Sequence, residues 1–80
     1  MFYAYILFSE KLGKYYYGHT KDLDERLKTH AKGKVKFTKP GRPWKLVYHE
    51  SFSTRSEAFQ REMFYKSIDG YNYLKSAKII

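Results

Sequence analysis

From Phe2 to Phe8 the chain is almost wholly apolar and aromatic: Phe, Tyr, Ala, Tyr, Ile, Leu, Phe. A run this short and this rich in rings predicts a buried strand rather than a helix. Ser9 to Lys14, with Gly13, predicts a hairpin turn, and Lys14 to His19 a second strand. The period then changes. Leu23 and Leu27 fall at i and i+4, and Thr20 is placed to cap a helix over about Lys21 to Lys32, with Asp22 and Asp24 in its first turn and Gly33 as its stop. Lys34 to Pro43 holds both prolines and Gly41 and predicts a loop. Alternation resumes over Trp44 to Phe52, with Trp44, Leu46 and Tyr48 assigned to one face and Val47 to the other, so a third strand is expected. Thr54-Arg55-Ser56-Glu57 has the form of a capping box. It opens a helix expected to run to about Ile68 and to end at Asp69-Gly70, after which Tyr71 to Lys78 allows a short terminal helix. The fold class is α+β. Residues 1–80 form one domain, a three-stranded antiparallel sheet flanked by helices in the order ββαβα, with a short C-terminal helix.

Composition narrows what such a domain can do. Nine Tyr, six Phe and one Trp in 80 residues supply the bulk that lets a small chain bury a core. Zero Cys excludes a disulfide framework and a thiolate zinc site, and suits a reducing compartment. No apolar run approaches the roughly 20 residues that span a bilayer, and no basic stretch precedes an apolar one at the N-terminus. No membrane partner and a cytoplasmic location are expected.

Charge changes the picture more. Sixteen Lys and Arg face eight Asp and Glu, for a net charge of +8. Between Arg26 and His49 stand Arg26, Lys28, Lys32, Lys34, Lys36, Lys39, Arg42 and Lys45, with no acid among them. Such a stretch repels itself unless a polyanion is present, and a phosphate backbone is the commonest one. Those lysines and Arg42, together with Lys14 in the second strand, are the candidate nucleic-acid contacts. The alternative is a solvated lysine-rich surface that keeps a small protein soluble.

Two residues carry candidate chemistry. Arg26 lies beside the Leu23–Leu27 stripe and shares its flank with His30 at i+4, so its planar fork is placed for bidentate phosphate contact; pairing with Asp22 at the surface is the alternative. Glu62 has Ala58 four residues before it and Tyr65 three after, which sets a carboxylate on or near an apolar stripe. That position is costly without a partner. A hard divalent cation such as Mg²⁺ takes one or two protein carboxylates plus substrate oxygens, and an ion pair with a Lys or Arg of the other helix would serve as well. Tyr5 and Tyr16 face one site if they oppose each other across the hairpin. A phenol with its ordinary pKa of about 10 must be depressed to act as a base at neutral pH. The three histidines, His19, His30 and His49, lack helix-borne zinc spacing, and there is no Gly-rich phosphate loop.

Tyr3-Ala4-Tyr5, Tyr16-Tyr17-Gly18, Arg26, His30 and Glu62 resemble, in order and spacing, the motifs of the GIY-YIG nuclease family. Arg42-Pro43-Trp44-Lys45-Leu46-Val47-Tyr48 is similar to the segment entering the third strand of its small stand-alone members. Glu57-Ala58, Arg61-Glu62 and Lys66 resemble their second helix. The resemblance implies an endonuclease dependent on Mg²⁺ or Mn²⁺. By it, Glu62 holds the metal, Arg26 contacts the scissile phosphate, Tyr5 activates the attacking water, and Tyr16 and His30 orient water or phosphate. Lys14 would lower a neighbouring phenol's pKa. The chain departs from the pattern at Tyr3-Ala4, where many relatives have Gly-Ile, and at Tyr17, in place of Ile or Val. The C-terminal Asn of many members has only Asn72 as a candidate. These 80 residues leave no room for a second, target-selecting DNA-binding domain, so low sequence specificity is expected.

Three functions follow from different readings. A nuclease acting on nucleic acid, DNA before RNA, would nick one strand as a monomer. A basic nucleic-acid-binding module would keep the charge without catalysis, but has no use for Glu62 facing phosphate. A small basic protein docked on an acidic protein partner leaves the tyrosine spacing unexplained.

Overall fold

The computed structural model describes residues 1–80. Strands β1 (Phe2–Ser9) and β2 (Lys14–Thr20) form the expected hairpin, with Tyr5 opposite Gly18 and Leu7 opposite Tyr16. Gly13 closes its turn at φ +64°, a left-handed conformation that glycine adopts without strain. Strand β3 (Trp44–Phe52) returns antiparallel to the other side of β1, so the sheet order is β2-β1-β3 and β1 is central. Its central position explains why Ala4, Tyr5, Ile6 and Leu7 are all fully buried: both faces of that strand are covered.

The helices divide between the two faces. Helix α2 (Arg55–Tyr65) and helix α3 (Ile68–Ser76) cover one, where Ala4, Ile6, Tyr65 and Leu74 form the core, with Tyr17, Tyr48, Phe52 and Phe64 packed around it. Burying an aliphatic side chain of this size stabilises by roughly 1.5–3 kcal/mol. Helix α1 (Leu23–Ala31) and the following loop lie on the side of Tyr5, Leu7 and Tyr16. That loop contains a 3-10 turn at Lys39–Gly41, inside a stretch expected to be irregular throughout.

Four local expectations need correction. The cap of α1 is Asp22, not Thr20: its carboxylate accepts the Glu25 amide, and Thr20 instead hydrogen-bonds the Asp22 backbone. The helix therefore starts at Leu23. The capping box at Thr54 and Glu57 forms as read, but α2 stops at Tyr65 rather than near Ile68. Ser67 then caps α3 by accepting the Gly70 amide, so Asp69-Gly70 opens a helix instead of ending one. Gly70 is required there because a Cβ would collide with the Phe64 carbonyl where α2 and α3 meet. Finally, a β-bulge between Ile6 and Leu7 pairs Tyr48 with Ile6 but Leu46 with Leu7. One extra residue moves every later side chain to the other face. Trp44 and Leu46 thus lie on the α1 face and Tyr48 on the core face, not all three together; Tyr48 meets Tyr65, whereas Trp44 meets Tyr16.

Candidate active site

On the α1 face, four of the sequence-derived candidates come into direct contact. Tyr5 is fully buried beneath α1, its ring 6.4 Å from that of Tyr16 and 5.9 Å from that of His30. Tyr5 and Tyr16 are not directly opposed; they sit diagonally on one face, two residues out of register, because Gly18 is the residue facing Tyr5. The glycine has a steric reason. A Cβ at position 18 would stand 2.5 Å from the Tyr5 hydroxyl oxygen, so any side chain would push the phenol off its site.

The phenol heads a buried chain of three residues. Tyr5 Oη and His30 Nε2 are 3.0 Å apart, and His30 Nδ1 lies 2.8 Å from Thr38 Oγ1. Thr38 donates its hydroxyl to the Val35 carbonyl at 3.3 Å, so it can only accept from His30. That order assigns the imidazole tautomer: Nδ1–H donates to Thr38, and the Nε2 lone pair accepts from Tyr5. A second hydrogen bond reaches the phenol oxygen from Arg26 Nε at 3.4 Å. Arg26 is half-buried, with no ion pair to Asp22, whose carboxylate is the α1 cap. The Tyr16 phenol also favours the guanidinium charge, although Nε to Tyr5 is the one hydrogen bond of the Arg26 side chain with good geometry. The terminal nitrogens of Arg26 therefore have no hydrogen-bonded protein partner.

Electrostatics follow burial. Desolvation pushes Tyr5 up to about 12, outweighing the Arg26 hydrogen bond, with the Glu62 carboxylate among the charges that add to it. This is opposite in sign to what a general base at neutral pH requires, and the phenol is fully buried. Desolvation, with the Arg26 charge behind it, lowers His30 to about 4, which keeps the imidazole neutral and able to accept the phenol proton. Lys14 lies at the turn end of the hairpin, opposite Ser9, and is not among the charges acting on Tyr5.

Glu62 is on the other face. With Ala58 and Tyr65 it makes the buried stripe of α2, and only 8% of its surface is exposed. Its two carboxylate oxygens are divided between β2 and its own helix: Oε1 is 2.7 Å from His19 Nδ1 and Oε2 is 2.6 Å from Lys66 Nζ. The partner is not on another helix, as the ion-pair alternative supposed. The faces converge at the edge strand β2. One cleft there is lined by both His19 and Arg26, with Thr29 and Arg55, and a hollow beside it joins Tyr16 to Lys66. No group of three or more His, Cys, Asp or Glu is clustered to cage a metal. A single buried carboxylate, held by the His19 that lines the cleft, nonetheless fits a hard divalent ion that keeps water and substrate oxygens for its other positions. Lys66, half-exposed on a flexible stem, is the partner such an ion would displace.

The basic residues fare unevenly. Lys28, Lys32, Lys34, Lys36 and Lys39 are exposed around α1 and its loop. Lys45 is paired with Glu10 at 2.8 Å. Arg42 donates to the Lys39 and Ala31 carbonyls and closes over Gly33, so part of its fork holds the loop. Asn72 lies exposed on α3. Three site residues escaped the sequence reading. Lys66 was signalled by its i+4 distance from Glu62, and His19 by strand alternation from Gly18. Thr38 had no local signal, since only loop closure brings it to His30.

Comparison with known proteins bears on the family and the fold. The model of the GIY-YIG catalytic domain matches residues 1–72. The chain is 48% identical over 59 residues to the UPF0213 protein YazA of Bacillus subtilis, a match that takes in 72% of this chain but only 60% of YazA. It is 42% identical over 64 residues to a UPF0213 protein of Staphylococcus epidermidis, covering 79% and 78% of the two chains. The solution NMR structure of the UPF0213 protein BH0048 from Bacillus halodurans superposes with a TM-score of 0.57 at 38% identity, over 98% of this chain and 86% of that one. The chain belongs to the GIY-YIG family, whose catalytic domain is in general a nuclease.

Proposed function

We propose that this domain is a divalent-metal-dependent endonuclease that hydrolyses phosphodiester bonds of nucleic acid, DNA in preference to RNA, nicking one strand as a monomer with little sequence specificity. The observation that carries the reading is the buried Tyr5–His30–Thr38 chain, which holds one half-exposed guanidinium at the sheet edge. A buried polar network of this kind stabilises the fold less than an apolar core would, and its product is a fixed, partly desolvated Arg26.

Each residue has one task. Arg26 takes the scissile phosphate through its free terminal nitrogens and stabilises the charge that develops on it. Tyr16, half-buried beside Arg26, hydrogen-bonds the attacking water. Tyr5 positions Arg26, and His30 holds the Tyr5 proton in place. Glu62 holds Mg²⁺ or Mn²⁺. When bound, that ion acidifies the water and draws charge from the phosphate and the leaving oxygen. His19 keeps Glu62 oriented after Lys66 has been displaced. The exposed lysines of α1 and its loop bind the flanking backbone.

One observation favours the other reading, a binding module without catalysis: His19 and Lys66 already satisfy Glu62. Supercoiled plasmid with Mg²⁺ or Mn²⁺ separates the two. Wild type should yield nicked circles, and Glu62→Ala and Arg26→Ala should each slow nicking by about 10²- to 10³-fold. If all three bind DNA and none nicks it, the binding module is correct.

A further inference from the structure

We infer that the hollow on the β2 edge, lined by Tyr15, Tyr16, Tyr17, Phe37 and Lys66, is a seat for one unpaired nucleobase. The inference rests on nucleic acid being the partner, and not on cleavage.

The starting observation is Phe37. It is 79% exposed on the loop after α1, although a phenylalanine ring gains more than most side chains from burial. A single exposed ring is unremarkable by itself. This one is held in place. Its neighbour Thr38 is fully buried, with its hydroxyl on His30 and its carbonyl accepting Trp44 Nε1 at 2.6 Å. The amides of Thr38 and Lys39 both return to the Val35 carbonyl, and Arg42 ties the loop to the end of α1. Because Thr38 is turned inward, Phe37 is presented outward by a loop with little freedom left to lose on binding.

The surroundings identify the occupant. The Phe37 ring is 6.0 Å from that of Tyr16, and the tyrosines of β2 continue the aromatic wall. Lys66 supplies a cation within the hollow, while Lys34, Lys36 and Lys39 stand exposed on the loop that carries Phe37. Aromatic faces interleaved with lysines suit a base stacked on rings with its backbone among the cations. A base in a continuous duplex has both faces covered by its neighbours, so only one at a bulge, flap or single strand can enter. Tyr16 belongs both to this hollow and to the Arg26 cluster, so a seated base holds an adjoining phosphate beside Arg26. Selection would then be for unpaired structure rather than for sequence.

The test is binding in the presence of a chelator, so that no cleavage enters. The probes are a fully paired duplex, the same duplex with a single bulged 2-aminopurine, and the free single strand. Wild type should bind the bulged and single-stranded probes more tightly than the paired one and quench the 2-aminopurine. Phe37→Ala should lose about 5- to 150-fold in affinity for the unpaired probes, together with the quenching. Its affinity for the paired duplex should stay within about twofold, as for an ordinary surface substitution. Phe37→Tyr should keep the preference. An equal loss on all probes, no loss on any, or unaltered quenching overturns the base seat. Plasmid nicking is decided separately: an inert protein that passes this test keeps the seat, and a nicking protein that fails it keeps the hydrolytic site.

Discussion

The two faces of the sheet are built from different materials. Beneath α2 and α3 lie Ala4, Ile6, Tyr65 and Leu74, packed by shape, with few polar atoms to satisfy. Beneath α1 and its loop lie Tyr5, Ser9, His30 and Thr38, all buried, each hydroxyl or ring nitrogen with a partner. No buried side-chain polar atom is left without one. One face supplies stability that does not depend on which proton sits where. The other fixes proton positions and the direction of one guanidinium. Glu62 is the exception that connects them, a carboxylate set in the apolar stripe of α2 and turned toward the β2 edge, where the polar face also ends.

The comparison fails first if the core face is also the working face. Leu74→Ala should destabilise by about 2–5 kcal/mol in urea unfolding, the range for emptying a buried leucine site. The nicking rate per folded molecule should not change. A rate that falls with stability would merge the two faces.

Acid probes the polar face specifically. His30 titrates near 4 when folded against about 6.5 unfolded, so between these values the unfolded chain takes up a proton that the native one refuses. Stability from this residue is whole above pH 6.5 and is lost as pH falls toward 4, at no more than about 1.4 kcal/mol per pH unit. Unfolding curves across that window should show the decline, and His30→Gln should flatten it relative to wild type. Identical slopes for the two proteins would mean that His30 is not held neutral by its burial.

The smallest expected change in stability comes from one oxygen. Tyr5→Phe removes the hydroxyl that His30 Nε2 and Arg26 Nε share and should cost about 1–3 kcal/mol, while leaving the ring in place over Gly18. Activity should fall by at least about tenfold with KM for DNA little changed, because Arg26 is present but no longer held. A Tyr5→Phe protein that nicks at the wild-type rate would reduce the polar face to packing.

Local patterns read correctly wherever a few neighbouring residues decide the outcome. The aromatic run of β1, the Gly13 turn and the Thr54–Glu57 capping box all form as expected, and the ordered Tyr, Arg, His and Glu positions pointed to the right family. Errors appear where a local signal has a competitor. Thr20 and Asp22 can each cap a helix, and Asp69-Gly70 has the look of a stop until Gly70 is seen wedged against the end of α2.

From residue order alone come the elements, their succession and the short list of groups capable of phosphate chemistry, because hydrophobic period, capping and charge act over a few residues. The assembled fold had to settle three further matters. The bulge between Ile6 and Leu7 sent Tyr48 to one face and Trp44 to the other. Loop closure put Thr38 behind His30 and so chose its tautomer. Packing of α2 on β2 gave Glu62 the partner His19, 43 positions away in the chain. Each depends on contacts between distant segments, and burial, which sets the pKa values of Tyr5 and His30, exists only once those contacts have formed.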